Sequence, residues 1–98
     1  MLDIIVNDNG AERKVTLNGR LDTSTAPEME KKLSSLEGVT ALELDLSGLE
    51  YISSAGLRVL LAIQKVMNKQ GSMVLHNVNE SVREVFDITG FSDIFTFG

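Results

Sequence analysis

Two adjacent serines, Ser53 and Ser54, stand at the predicted start of a helix, and Arg58 follows about one helical turn later. The N-terminus of a helix favours negative charge through its free N–H groups and its dipole. A phosphate on Ser54 would suit this position, and the Arg58 guanidinium could pair with it. The alternative is that the serines only cap the helix, since a hydroxyl there accepts a hydrogen bond from an unpaired backbone N–H. Spacing alone favours the cap, because capping serines are common.

The rest of the composition offers little other chemistry. The chain has no cysteine and a single histidine, His76. This argues against disulfides, thiol catalysis, a Ser-His-Asp triad and metal sites built on cysteine or histidine. His76 lies in an apolar run, so we interpret it as a strand residue rather than a ligand. We therefore expect no cofactor, no metal and no enzymatic activity.

Charge and hydropathy exclude two classes of partner. The net charge is −5, whereas binding to a phosphate backbone needs a basic surface. No apolar run approaches the ~20 residues that span a bilayer. The N-terminal segment carries Asp3 and lacks the basic residues of a secretion signal. We expect a cytoplasmic protein that binds neither nucleic acid nor membrane.

Strand and helix patterns alternate around the serines. A β-hairpin is predicted from Leu2–Val6 and Lys14–Asn18, followed by strands at Ala41–Leu46 and Met73–Leu75. Start and stop signals predict three helices: the first begins within 22–25 and ends at Gly38, the second covers Ala55–Lys69, and the third runs from the cap Asn79 to Gly90. An apolar segment over 91–97 is expected to pack on the core.

This order of elements predicts one α/β domain over residues 1–98. Its sheet is mixed, with four to five strands and an N-terminal β-hairpin, and three or more helices pack on it. Leucines at 42, 44 and 46 alternate with Glu43 and Asp45. Acidic side chains in a central strand indicate that one face of the sheet is incompletely covered.

A helical wheel divides the second helix into two faces. The core face is predicted to hold six apolar residues: Val59, Leu60, Ala62, Ile63, Val66 and Met67. The opposite face is predicted to carry the serine and three cations, flanked by two leucines: Ser54, Arg58, Lys65, Lys69, Leu57 and Leu61. The serine hydroxyl would then share a surface with cations and leucines.

Two sequence segments resemble a known family, the bacterial anti-sigma factor antagonists of the STAS-domain type. The segment from Tyr51 to Leu61, preceded by 44–49, is similar to the family's hydrophobic strand and serine loop that open a helix. The segment Leu17–Asp22 resembles the family's Gly-x-Leu-Asp element. The resemblance runs in consistent order from about Val15 to Phe97, and it reverses the preference at Ser54 in favour of a regulatory phosphosite.

The resemblance implies the STAS fold and a mechanism of partner switching. The unphosphorylated protein would bind an anti-sigma factor that is itself an ATP-dependent serine kinase, and so release a sigma factor. The kinase would then phosphorylate Ser54 and eject the antagonist until a PP2C-type phosphatase resets it. The protein would be a monomer or a weak dimer. The implied partner surface comprises Asp22, Thr23, Ser24, Ser53, Ala55, Gly56, Leu57, Arg58 and Leu61.

Two residues depart from the family pattern or depend on it. Ser53 replaces the aspartate that precedes the phospho-acceptor in the family, so Ser53 is the second candidate for modification. Asp22 on its own would be only a cap or loop carboxylate, but the resemblance places it beside the serine loop.

Two alternative functions stay open. One is a STAS scaffold module that does not switch, and the other is a phosphocarrier that uses His76 or a serine.

Overall fold

The computed structural model describes every residue from Met1 to Gly98. Five strands and three helices follow one another along the chain: β1 Leu2–Asn9, β2 Glu12–Leu21, α1 Ala26–Lys32, β3 Ala41–Ile52, α2 Ser54–Asn68, β4 Ser72–His76, α3 Glu80–Thr89 and β5 Thr96–Phe97. The strands form one sheet in the order β1-β2-β3-β4-β5. The β1–β2 hairpin is antiparallel and the other three pairings are parallel. The predicted mixed α/β sheet with its N-terminal hairpin is therefore confirmed.

The helices all lie on one face of the sheet. From β2 onwards each helix connects two neighbouring parallel strands, and each new strand joins the same edge of the sheet. Crossovers of this type are right-handed, so all three helices pack on the same face. Residues from all three helices accordingly share one core with the strands. The buried members include Met29 of α1, Leu60 of α2 and Phe86 of α3. None of the helices is both long enough and apolar enough to cross a bilayer.

The opposite face of the sheet is open and polar. Glu43 and Asp45 are half-buried there, whereas their neighbours Leu42 and Leu44 are fully buried under the helices. His76 ends β4 on the open face, where its Nε2 lies 2.9 Å from Glu43 Oε1. The alternation in β3 thus correctly indicated a face without a covering layer, and His76 is a strand residue as predicted.

Several predicted element boundaries were wrong, including the end of β1, which lies at Asn9 rather than at Val6. Strand β3 continues past Leu46 to Ile52, and β2 continues past Gly19 to Leu21. Gly19 does not end its strand because it adopts a φ of 114° next to an irregularity in the β2–β3 register. A glycine accommodates this conformation without strain. Helix α1 ends at Lys32 rather than at Gly38, and the residues between them form turns.

The predicted faces of the helices needed correction at four positions. Leu57 is only 1% exposed and belongs to the core, whereas Ala62 and Val66 are exposed. The buried arc of α2 is rotated from the predicted one. Its buried residues are Gly56, Leu57, Val59, Leu60, Ile63, Gln64 and Met67. In α3 the apolar pattern predicts that Ile88 faces inward together with Val82, Val85 and Phe86, but Ile88 is 76% exposed.

The end of the chain supplies the fifth strand. Thr96–Phe97 pairs with β4, and the rings of Phe95 and Phe97 pack edge-on against Phe86 at centroid distances of 5.3 and 5.6 Å. Upstream, Asn79 caps α3 by accepting from the Val82 amide at 2.9 Å. The predicted closing segment and the predicted cap of this helix are both confirmed.

Candidate functional site

The two serines differ in their structural roles. Ser53 is the N-cap of α2, and its hydroxyl accepts a hydrogen bond from the Gly56 amide at 3.3 Å. Ser54 is the first helical residue and is exposed, with no side-chain hydrogen bond. The amides at the first helical positions have no partner within the helix. The cap is therefore assigned to Ser53, and the Ser54 hydroxyl is left free at a helix end that favours negative charge.

The parallel pairing of β2 and β3 brings the two sequence motifs together. Leu21 and Ile52 lie opposite each other at the carboxyl ends of these strands. The Ser53 amide extends the pairing by donating to the Leu21 carbonyl oxygen at 2.9 Å. The residues after Leu21 must therefore start beside the serine loop, which consists of Ser53 and Ser54 after the end of β3. The expected neighbourhood of Asp22 and the serines follows from this register.

Asp22 organises the loop that precedes α1. Its Oδ1 accepts from the Ser24 hydroxyl at 2.8 Å and from the amides of Ser24 and Thr25 at 3.0 and 3.2 Å. The Ser24 hydroxyl is the main cause of a lowered pKa of the Asp22 carboxyl, the two amides lower it further, and partial burial acts in the opposite direction. The loop is fixed from the other side by the buried Thr25 hydroxyl, which donates to the Arg20 carbonyl oxygen at 2.8 Å.

A shallow hollow connects the Asp22 loop with the start of α2. Its volume is about 360 Å³, and its lining comes from both helices and the loop: Thr23, Ala26, Pro27, Glu30, Ala55, Arg58, Val59 and Ala62. Thr23, Ala55 and Arg58 of the predicted partner surface therefore border one depression. Arg58 is exposed and makes neither a salt bridge nor a side-chain hydrogen bond. Its guanidinium is free to contact another molecule.

Two residues of the predicted surface lie beneath it instead. Leu57 is buried, so it cannot supply the leucine contact expected beside Ser54. Gly56 is also buried, and a Cβ on it would come within 2.7 Å of Leu21 Cγ and 2.9 Å of the Leu21 carbonyl oxygen. These two residues hold the start of α2 against the end of β2. Leu61 is partly buried against the core, so only part of its side chain is available.

Sequence reasoning missed two exposed residues next to the site. Arg20 and Tyr51 face each other across β2 and β3, one position before the buried pair Leu21 and Ile52. They therefore point to the open face of the sheet. The Arg20 guanidinium carbon lies 4.6 Å from the centre of the Tyr51 ring. In the sequence each residue precedes an apolar residue, but their pairing follows only from the register of β2 and β3.

The sequence matches the STAS domain over residues 4–98. The chain belongs to the STAS domain family. Among similar STAS proteins, an anti-sigma factor antagonist named BtrV from Bordetella bronchiseptica is 43% identical over 82 residues, which cover 81% of this chain and 71% of BtrV. The anti-sigma-B factor antagonist of Bacillus subtilis is 35% identical over 95 residues, which cover 95% of this chain and 87% of that protein.

Solved structures with the STAS fold superpose over nearly the whole domain. An anti-sigma factor antagonist from Mycobacterium paratuberculosis has a TM-score of 0.88 at 25% identity, over 99% of this chain and 85% of that one. Unphosphorylated SpoIIAA has a TM-score of 0.84 at 20% identity, over 98% of this chain and 88% of its own. Phosphorylated SpoIIAA has a TM-score of 0.76 at 19% identity, with 98% and 91% coverage.

The serine surface, formed by the Asp22 loop, Ser54 and Arg58, carries charges of both signs, because Asp22 lies beside Arg20 and Glu30 lines the same hollow as Arg58. Arg20 and Arg58 are both exposed, one on the open-face side of the loop and one on α2, while the net charge is −5. The free Ser54 hydroxyl lies on the chain between them. Either guanidinium would pair with an acidic group on another protein, and a phosphate on Ser54 would add negative charge to the same surface.

Proposed function

We propose that this STAS domain is an anti-sigma factor antagonist whose binding is switched off by phosphorylation of Ser54. The observation that carries the proposal is the division of roles between the two serines: Ser53 caps α2, and Ser54 is exposed at the first helical position. A modification of Ser54 therefore leaves the cap intact. The names of the relatives from Bordetella bronchiseptica and Bacillus subtilis support the regulatory assignment.

The proposed cycle depends on two enzymes, a kinase and a phosphatase, and on no catalytic group of the antagonist. The unphosphorylated domain binds an anti-sigma factor, which frees a sigma factor. The anti-sigma factor, acting as an ATP-dependent serine kinase, transfers the γ-phosphoryl group of ATP to the Ser54 oxygen, which releases ADP and the serine proton. A PP2C-type phosphatase hydrolyses the phosphoserine and restores the free hydroxyl. The partner surface is formed by the Asp22 loop, the start of α2 and Arg58.

The switch works because the phosphate affects folding and binding in opposite ways. A phosphoserine carries a charge of about −1.5 to −2 at neutral pH. At a helix N-terminus this charge stabilises the helix. In a closed contact with an acidic partner it must instead be desolvated and opposed to like charge. A loss of about 3 kcal/mol in binding free energy corresponds to more than a hundredfold weaker affinity.

The decisive experiment identifies the residue that is phosphorylated. The wild type, Ser54→Ala and Ser53→Ala proteins are incubated with the purified anti-sigma factor and ATP, and phosphopeptides are identified by mass spectrometry. We expect modification of the wild type and of Ser53→Ala, and none of Ser54→Ala. Phosphate on Ser53 in the wild type would contradict the assignment of the acceptor. Phosphate on His76 would indicate a phosphocarrier, and stable binding without any modification would indicate a scaffold.

A second experiment separates stability from affinity. Ser54→Asp places a carboxylate at the start of α2, where the helix dipole favours it. The melting temperature should stay at or above that of the wild type, while affinity for the anti-sigma factor falls. Ser54→Ala should bind at least as persistently as the wild type when ATP is present. If melting temperature and affinity fell together in Ser54→Asp, the serine would have a structural role and the proposed switch would be wrong.

A further inference from the structure

Arg20, Tyr51 and Asp22 form an ordered group at the edge of the serine loop. The Arg20 guanidinium lies 4.6 Å from the centre of the Tyr51 ring, and its Nε lies 3.8 Å from Asp22 Oδ2. Cation–π stacking and the nearby carboxylate both restrict where the guanidinium can lie. The group is nevertheless accessible, since the Arg20 side chain is 54% exposed and Tyr51 is 41% exposed.

The hydrogen-bonding capacity of this guanidinium is unused within the domain. Arg20 makes no side-chain hydrogen bond, and 3.8 Å to Asp22 Oδ2 is too long for one. Asp22 Oδ1 is already occupied by the amides and hydroxyl of its own loop. An arginine presents five N–H donors in a planar fork that matches a carboxylate. Stacking on Tyr51 orders the guanidinium before a partner binds, so less conformational entropy is lost on binding.

The position of the group joins it to the proposed partner surface. Leu21 lies between Arg20 and Asp22, and its carbonyl oxygen accepts the Ser53 amide at 2.9 Å. Tyr51 precedes Ser53 by two residues along β3. Arg20 and Tyr51 therefore continue the serine surface onto the open face of the sheet, away from Arg58. Tyrosine and arginine are also the residue types that most often dominate the energy of an interface.

We propose that Arg20, held in place by Tyr51, determines partner specificity by binding a carboxylate on the anti-sigma factor. This inference rests on the proposed function, because it assigns a charged contact within the same interface. The partner that fits is one whose contact surface places an aspartate or glutamate opposite Arg20. An anti-sigma factor with a lysine or arginine at that point would be rejected, since like charges in a desolvated contact are costly. A phosphate on Ser54 would oppose the partner's carboxylate, because it adds negative charge at the same loop.

The same domain contains a matched control for this group. On α3, the Arg83 guanidinium carbon lies 3.8 Å from the centre of the Phe97 ring, and its Nε lies 3.6 Å from Asp87 Oδ1. This second group combines an arginine, an aromatic ring and an aspartate in the same way, but its ring belongs to β5, which β4 separates from β3 in the sheet. A charge reversal at Arg83 therefore reproduces the electrostatic and stacking changes without touching the proposed interface.

The test measures affinity by titration calorimetry for unphosphorylated variants with each anti-sigma factor of the same organism, produced singly. We expect Arg20→Glu to weaken binding at least thirtyfold and Arg20→Lys by about fivefold to tenfold, because lysine keeps the charge but loses the fork. Arg83→Glu should stay within threefold of the wild type. Salt should weaken binding of the wild type more than that of Arg20→Gln. Reversing the partner's carboxylate to lysine should restore binding to Arg20→Glu.

The results separate this inference from the proposed function. If Ser54→Asp loses affinity but Arg20→Glu binds within threefold of the wild type, the role of Arg20 is wrong and the switch stands. If Arg83→Glu weakens binding as much as Arg20→Glu, the effect is a general one of charge and the inference is also wrong. If the wild type binds no anti-sigma factor, the proposed function fails. Thermal melts of each variant show whether it is folded. If Arg20→Glu does not fold, Arg20→Gln serves as the decisive variant.

Discussion

Replacing Gly56 by alanine should destabilise the domain, although alanine is the better helix former. The gain in helix propensity would be about 1 kcal/mol. Against it, the new Cβ would lie 2.7 Å from Leu21 Cγ, 2.9 Å from the Leu21 carbonyl oxygen and 3.0 Å from Ile52 Cγ1. The leucine side chain can move, but the carbonyl oxygen belongs to the β2 backbone, and overpacking of this kind costs about 1–3 kcal/mol. We expect a net loss of about 1 kcal/mol, or roughly 4–8 °C in melting temperature for a domain of this size.

Urea and thermal unfolding of Gly56→Ala and of a control on the same helix provide the measurement. Ala62 is exposed on α2, so Ala62→Gly reports the propensity difference alone and should cost about 1 kcal/mol. Subtracting that propensity term isolates the cost of the steric contact at Gly56. A Gly56→Ala protein as stable as the wild type, or more stable, would refute the reasoning, because it would mean that α2 can move away from β2 at no cost.

Three further outcomes are expected. Ser53→Ala should lower stability by about 1 kcal/mol because it removes the cap of α2, whereas Ser54→Ala should leave the urea midpoint unchanged; equal losses would contradict the assignment of the cap. The lowered pKa of Asp22 stabilises the folded state above the ordinary pKa, and this stability is lost as pH falls through the folded value. Asp22→Asn should therefore unfold with a weaker dependence on acid pH, and an unchanged pH profile would count against this. A double-mutant cycle of Ser54→Asp with Arg58→Ala, read as partner affinity, should give a coupling above zero; no coupling would leave Arg58 as a solvated surface residue.

The type and order of the elements could be predicted because local signals in the sequence agree with the tertiary structure. Leu42, Leu44 and Leu46 alternate with acidic residues, and the sheet buries only one face, so the period of two survives. Asn79 begins α3 by accepting a hydrogen bond with its side-chain oxygen, and Gly90 ends it in a left-handed conformation. In these places nothing in the tertiary packing competes with the local preference.

The rotation of α2 could not be predicted because it depends on a contact between distant segments. A helical wheel weighs apolar residues by type, and it therefore placed Val66 and Ala62 inside and Leu57 on the surface. In the structure Gly56 lets the helix start approach β2 closely, which turns Leu57 inward and leaves Val66 42% exposed. The close approach involves Leu21, and no local pattern around α2 contains that information.

The residues of the site that stand in local sequence motifs could be predicted, and those that depend on contacts between distant segments could not. The serine pair and Asp22 stand in motifs that could be read along the chain. The choice between Ser53 and Ser54 as the cap required the hydrogen bond to the Gly56 amide. Arg20 and Tyr51 emerged only from the register of β2 and β3, because a pair across parallel strands has no fixed separation in the sequence.

The hydrogen bond from the Ser53 amide to Leu21 has a consequence for the life of the protein in the cell. The candidate surface consists of residues from two segments that are far apart in the sequence and meet only when β2 and β3 have paired. Such non-local pairing is among the slower events in folding. A nascent or damaged chain thus contains the serine but not the assembled surface. A kinase that recognises that surface would ignore incomplete copies, and the pool of phosphorylated antagonist would consist of molecules that had already reached the native state.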